Sequence, residues 1–527
     1  MIFDLLIKNG YLINGTGNPW FRADIGVKDG KIKSIKRKIS ERARKIIDAK
    51  NLVVSPGFID AHAHDDLVFF YDPFDKPKLK QGVTTVVCGN CGISPAPLNK
   101  KTLDYLKSYV SSLGKKIDFT WSRYGEFLDE LKRIEIGINV AGMVGHGTLR
   151  IAVMGMKNIA PTKEELAKMK KLLAQSLEEG AIGMSTGLIY PPGNYAKTEE
   201  LIELCKIITE YGGIYTTHLR NEGDKLLEAM DEAIRIAKES GVPIELSHHK
   251  VAGRKNWGLV LYSLEKIRNA KEKGIDITVD AYPYSASNTS LNALVPPWVL
   301  AGGEQQFLER LKDKKTRKMI KKEIEEKTDW DNSIKGSGWE NIVLSFAPKY
   351  KQFEGKTLRK ISEIWNKDPY DALFDILLVE TSEALVNIFE MDDKDVERVI
   401  TCPYVSIVTD ALPDIEVDRP HPRGYGSFSR VLGRYVRDKG LITIEEAIRK
   451  MTSLPAQTFG FEKKGLLKED FDADIIIFDP KSIIDRATYD NPKQFPEGLK
   501  CVIVNGQIAI EKGAITGIKS GKVIRKK

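Results

Sequence analysis

Hydrophobic and polar positions follow two different textures along this 527-residue chain. At both ends, short runs alternate apolar with polar residues and are punctuated by turn dipeptides. DLLIKNGYLING, DIGVKDGKIKSI and KIIDAKNLVVSP stand near the start, and DADIIIFDP and LKCVIVNGQIAIEKGAITGIKSGKVI near the end. Period-two runs joined by NG and DG turns predict antiparallel β structure. About 55 residues make a poor sandwich alone, and VNG at 504–506 echoes KNG at 8–10. Residues 1–55 and 465–527 are therefore expected to build one small β-sandwich domain from both chain ends.

Over residues 56–464 the texture changes to strands alternating with helix-period segments. Eight apolar, β-rich runs occur in order: FIDAHAH, VTTVVCG, INVAGMVG, AIGMSTG, GIYTTHL, PIELSHH, DITVDAYPY and VSIVTDA. Helical periodicity fills the gaps at Lys163 to Glu179, Thr198 to Tyr211, Leu226 to Ser240 and Leu261 to Lys273. Eight such βα repeats predict the α/β class and a (β/α)8 barrel, whose functional residues gather at the C-terminal ends of the strands. About 120 residues, Ser285 to Pro403, separate the last two runs and carry a charged helical stretch from Gln305 to Lys327. A segment that long predicts an inserted subdomain at about 290–400, lying over the barrel mouth.

Composition narrows the class. Hydrophobic residues make up 42% and charged residues 29%, as in a globular enzyme, and the longest apolar runs are strand-sized, so no membrane span is expected. The start, MIFDLLIKNG, has an early Asp4 and no small-residue cleavage site, which points to a cytoplasmic protein without a secretory signal. The charge of +8 arises from 81 basic and 73 acidic residues that are mostly interspersed, and only the tail GKVIRKK is a basic cluster. That pattern is a solvated surface and argues against nucleic acid as a partner. Five scattered cysteines do not make a disulfide framework. Self-association is left open.

The candidate chemistry lies at the ends of the eight runs. The chain has only seven histidines, and none sits on the face of an amphipathic helix. His62 and His64, two apart at the end of the first run, leave the same face of an extended strand and can share one ion. Cys91 follows the second run in CGNCG, His218 ends the fifth, His248 the sixth and Asp410 the eighth. Imidazoles, a thiolate and a carboxylate at one barrel mouth suit Zn²⁺.

Together the motifs PGFIDAHAHDD, CGNCG, VGHGTLR, GMSTGLIYPPGNYA, THLRNEG, SHHK, DAYPY, TDALP, HPRGYGSFSRVLG, MTSLPAQTFG and DADIIIFD resemble the D-aminoacylase (N-acyl-D-amino-acid deacylase) family of the amidohydrolase superfamily. The resemblance runs through nearly the whole chain. It implies a metal-bearing barrel with a small β-sandwich from both termini. It implies that Cys91, His218 and His248 hold one tight zinc, and that His62 and His64 belong to a second, weak position, with the Cys91 sulfur able to bridge the two. This cysteine stands where most of the superfamily uses a carboxylated lysine. By the same resemblance Asp410 is the general base and lies against the metal, Arg423 receives the substrate carboxylate, and Lys250 and Tyr282 are auxiliary substrate contacts.

Two departures from the family pattern bear on the substrate. The family's Ser-Thr after YPY is here Asn288-Thr289, so an amide replaces a hydroxyl contact. The Asp-Gly-Leu-Pro turn reads Asp410-Ala411-Leu412-Pro413, with a slightly lengthened spacing to Pro422 and Arg423. Cys88 competes with Cys91 as a ligand. His249 is expected to point away from the metal as packing, and His146 to contact substrate or orient its loop. Ser185 lacks the GxSxG turn of a nucleophile.

The implied reaction is zinc-assisted hydrolysis of N-acyl-D-amino acids. Alternatives are a dipeptidase for peptides with D-residues, a cyclic-amide hydrolase of the hydantoinase or dihydroorotase kind, and a barrel that serves only as a scaffold. A bridging lysine on strand four would mark the cyclic-amide hydrolases, and GMSTGLIYPP has none.

Overall fold

A computed structural model describes residues 2–526 apart from 112–116, 328, 382 and 413–416. Pro413 of the TDALP motif lies outside these described residues. Eight parallel strands form the centre: Phe58–Asp60, Val83–Cys88, Asn139–Gly142 continued by Val144–Gly145, Gly183–Gly187, Ile214–His218, Ile244–Leu246, Ile277–Ala281 and Val405–Ile407. Each pairs in parallel with the next, and Met143 divides the ladders into a three-stranded and a six-stranded sheet. The first and eighth strands share no ladder. Residues just beyond them are bonded instead, Asp410 N to His62 O at 2.9 Å and His64 N to Ala411 O at 3.4 Å.

The strands are buried on both faces, which is why they read as continuous apolar runs without alternation. On one face Ile59, Ala61, Val87, Ala141, Met143, Ile182, Ile214 and Val408 pack together. On the other lie the helices, whose boundaries follow from capping and periodicity. Thr162 accepts from the Glu165 amide, and Glu165 returns the bond in a capping box that opens helix Lys163–Glu178. Helix Leu226–Ser240 buries Leu226, Ala229, Met230, Ala233, Ile236 and Ala237 on one stripe and stops at left-handed Gly241.

Strands from both chain ends are neighbours in one nine-stranded sheet. Ile475–Phe478 runs antiparallel to Val53–Pro56, which in turn lies parallel to Phe3–Leu12. This sheet is anchored to the central strands through Asp474, which accepts from Asn139 Nδ2 at 3.0 Å and Lys464 Nζ at 2.7 Å.

Between strands seven and eight, Ala286–Ser290, Leu385–Phe389 and Ile342–Phe346 form an antiparallel sheet with its own apolar cluster, including Leu291, Phe307, Leu344 and Phe374. The charged stretch from Gln305 to Lys327 is two helices, not one. Glu304–Lys312 ends at Asp313, whose extended backbone breaks the helix and whose side chain caps Lys314–Glu326 by accepting from the Thr316 amide at 2.8 Å.

Candidate metal centre and substrate cavity

The first strand ends at Asp60, so His62 and His64 stand on the segment that follows it and not on the strand itself. Cys91 lies in the loop after the second strand, in left-handed backbone at φ 50°. His248 and Asp410 also have positive φ, 34° and 48°. Such backbone is unfavourable for residues with a Cβ and persists only where the surroundings enforce it. For Cys91 the enforcement comes from Ser185, whose hydroxyl accepts from the Gly92 amide at 3.0 Å and donates to Gly89 O. That is the role of the serine in STG.

Cys91 Sγ is 3.4 Å from His62 Nε2, 3.4 Å from His248 Nε2 and 3.8 Å from His218 Nδ1. Asp410 Oδ1 is 3.4 Å from His62 Nε2 and 3.2 Å from His64 Nε2. Three overlapping donor groups result: His62, His64 and Cys91; Cys91, His218 and His248; and His62, His248 and Asp410. All of these residues except half-buried His64 are buried.

The donor set fits a zinc ion. Bond lengths of about 2.3 Å to sulfur and about 2.0 Å to nitrogen in a tetrahedron require donors about 3.5 Å apart, and the cysteine-to-imidazole distances bracket that value. The other ring nitrogens of His62 and His248 are oriented by carboxylates, as ligating histidines commonly are. His62 Nδ1 faces Asp280 Oδ2 at 3.2 Å and His248 Nδ1 faces Glu222 Oε1 at 3.0 Å. Burial pushes the Cys91 thiol up, but His62, His248 and His218 outweigh it and hold the group well below the usual thiol range. Cys88 has no such neighbours. It packs into the apolar core, and burial pushes its thiol well up.

Sequence reasoning missed Glu222 and Asp280. Asp280 also accepts from the His248 amide at 2.6 Å, and both Glu222 oxygens lie 2.7 Å from Lys250 Nζ. A signal existed for each: Asp280 is a lone carboxylate inside an apolar strand, and Glu222 follows His218 by four residues in THLRNEG.

The cluster opens into a cavity of about 560 Å³, lined by His64, Cys91, His218, His248, Asp410 and residues of the inserted sheet. The four expected substrate contacts, Lys250, Tyr282, Asn288 and Arg423, all line it. Arg423 begins helix Arg423–Arg430, stacks its guanidinium 4.5 Å over the Tyr282 ring and reaches Asn288 O at 3.4 Å. His421 sets this turn by accepting from the Arg423 amide at 3.0 Å. The Asn288 amide group turns into the inserted sheet, donating to Asn387 Oδ1 at 2.9 Å and Val386 O at 3.1 Å. His249 faces Ser263 Oγ at 2.8 Å, and His146 faces Glu200 at 2.9 Å; neither lines the cavity.

Parallel strands bearing this donor cluster at one end define a metal-dependent hydrolase. The sequence profile of the amidohydrolase family matches residues 45–319 and 404–510, and the gap between the two matched parts falls between the seventh and eighth strands. D-aminoacylase of Alcaligenes xylosoxydans xylosoxydans is 37% identical over 522 residues, spanning 99% of this chain and 97% of its own. A solved structure of D-aminoacylase, whose binuclear centre is activated by one metal and attenuated by a second, superposes with a TM-score of 0.84 at 35% identity, over 99% of this chain and 100% of that one. N-acyl-D-glutamate deacylase from Bordetella bronchiseptica, complexed with zinc and a phosphonate mimic of the tetrahedral intermediate, gives 0.85 at 35% identity, with 100% of both chains covered. The chain belongs to the D-aminoacylase family of the amidohydrolases.

Proposed function

We propose that this protein hydrolyses the amide bond of N-acyl-D-amino acids to a carboxylate and a free D-amino acid. The observation that carries the reading is the meeting of the Cys91, His218 and His248 donors with the Asp410 carboxylate at the floor of one cavity. Cys91, His218 and His248 would hold one tight zinc, and His62, His64 and Asp410 a weaker second position. A bound zinc ion supplies Lewis acidity, polarising the amide carbonyl and acidifying water.

The protein's own groups do the rest. Burial opposes the charge on Asp410, but Arg423, His248, His62 and His64 outweigh it and hold the carboxyl well below its usual range. Asp410 is thus ionised at neutral pH, ready to take the proton of the attacking water and return it to the departing nitrogen. Arg423 would receive the substrate carboxylate in its planar fork, with Lys250 and Tyr282 beside it. The Asn288 amide, expected to contact substrate, is instead committed to Asn387 and Val386, and Asn288 offers Arg423 only its backbone carbonyl. The strand order supports a (β/α)8 barrel closed between Asp60–His64 and Thr409–Ala411. The shared sheet supports a composite β domain from residues 1–55 and 465–527, and the separate apolar cluster supports an inserted subdomain at about 290–400.

A dipeptide with a D-residue at its carboxyl end fits the same grip, because a cavity of about 560 Å³ has room for more than an acetyl group. The test is to offer the zinc-loaded protein N-acetyl-D- and N-acetyl-L-amino acids, dipeptides and hydantoins, and to assay the free amine or the opened ring. Release from the N-acetyl-D series is expected. Hydantoin opening with a blank N-acyl panel would overturn the reading.

A further inference from the structure

Behind the metal-ligating segment, Lys78 is only 1% exposed. It comes from the short helix Lys76–Leu79, and its ammonium faces Asp60 Oδ2 at 2.6 Å, Thr409 Oγ1 at 2.5 Å and Asp65 Oδ2 at 3.0 Å. A buried ammonium persists only where oxygens replace its water, and here all three belong to the edges of the site. Asp60 precedes His62 by two residues, Asp65 follows His64, and Thr409 precedes Asp410.

The Thr409 hydroxyl is the link. It donates to Asp60 Oδ2 at 2.6 Å and accepts from Lys78 and from the Ala411 amide at 3.2 Å. One proton and two lone pairs are all a hydroxyl has, so its direction is fully determined. Its bond to Ala411 spans Asp410, whose φ of 48° is unfavourable for a non-glycine residue and needs such a clamp. On the other side, the Thr409 amide donates to Asp60 Oδ1 at 3.0 Å and the Asp410 amide to His62 O at 2.9 Å. The ammonium thus joins the backbone that aims the carboxylate to the backbone that carries the histidines.

We propose that Thr409 is a positioning residue whose hydroxyl, fixed by Lys78 and Asp60, holds the Asp410 carboxylate in line with the metal site and acts on turnover, not on substrate binding. The inference rests on the reading of Asp410 as the base. Removing Lys78 would leave Asp60 and Asp65 buried without this cation and endanger folding, so the cleaner variant is Thr409→Val, which keeps the Lys78 ion pairs with Asp60 and Asp65 and deletes the hydroxyl with its three bonds, to Lys78, Asp60 and the Ala411 amide.

In zinc-loaded protein, Thr409→Val is expected to keep zinc content and KM and to lose about 10- to 100-fold in kcat, the scale of a misplacement near 1 Å. Thr409→Ser should restore the rate. In an Asp410→Asn background, Thr409→Val should cause no further loss, because the group it aims is already gone. Unchanged kcat in Thr409→Val, or the same fold-loss with and without Asp410, overturns the positioning role while leaving Asp410 as base. Wild-type turnover in Asp410→Asn overturns both.

Discussion

Asp410 Oδ2 lies 2.7 Å from Arg423 Nη1, with both side chains buried. The contact is an ion pair, and Nη1 has no hydrogen-bond partner among the described residues. The proposed base and the proposed carboxylate receptor are therefore neighbours, and a substrate carboxylate on Arg423 would share the guanidinium that keeps Asp410 charged.

That sharing gives the first prediction. Arg423→Lys keeps a positive charge but loses the fork, so kcat/KM for N-acyl-D-amino acids should fall at least about tenfold, with zinc content and Tm near wild type. A substrate whose carboxylate is replaced by an amide should be handled poorly by wild type, and the variant should lose little more on it. Equal losses on both substrates would make the arginine a support for Asp410 and not a receptor. Removing the charge altogether, in Arg423→Gln, takes away an interaction that lowers the Asp410 pKa. The acid limb of the kcat profile should then move to higher pH, and an unmoved limb would sink the electrostatic account.

Zinc content tests the choice of cysteine. As isolated, the protein should carry about one tightly held zinc per chain, because a thiolate and two oriented imidazoles make a strong site. Cys91→Ala should lose it and Cys88→Ala should keep it, as read by elemental analysis. The reverse pattern would contradict the donor distances.

Asp410→Asn should keep fold and tight zinc while turnover falls on the order of a hundredfold or more, since an amide cannot accept the proton. The decisive measurement is steady-state rate at matched zinc occupancy. Near-normal turnover would pass the role to another group, with His64, whose Nε2 lies 3.2 Å from Asp410 Oδ1, the nearest candidate.

Lys450 provides a pH test far from the metal. It is fully buried on helix Ile444–Met451 and donates to the carbonyls of Cys402 and Val405, next to the eighth strand. Burial lowers its ammonium to about 8, against about 10.4 in an unfolded chain. Between these values the unfolded chain binds more protons, so the lysine's contribution to stability rises with pH through this window and is lost as pH falls back through it. Relative to Lys450→Met, wild type should gain roughly 2 to 3 kcal/mol from pH 7 to pH 10 in denaturant unfolding. A constant difference would show that the ammonium stays charged in the fold.

By itself the sequence determined which residue types end which strands. The eight apolar runs, the order of His62, His64, Cys91, His218, His248 and Asp410 along them, and the two β-rich ends are properties of local order and spacing; His218 ends its strand as expected, whereas His62, His64, His248 and Asp410 stand two to four residues beyond theirs. Local pattern also sets the seventh and eighth strands about 120 residues apart, a stretch too long for a plain loop.

Tertiary structure alone decided the partners. Asp280 reaches His62, Glu222 reaches His248, and Lys78 reaches Thr409 across 331 residues of sequence. The break at Asp313 and the turning of the Asn288 amide into the inserted sheet belong to the same category. Periodicity states which face a side chain leaves, since that depends on its own backbone. The group it meets depends on which distant strand lies beside it, and that is settled only when all eight strands and both chain ends have packed.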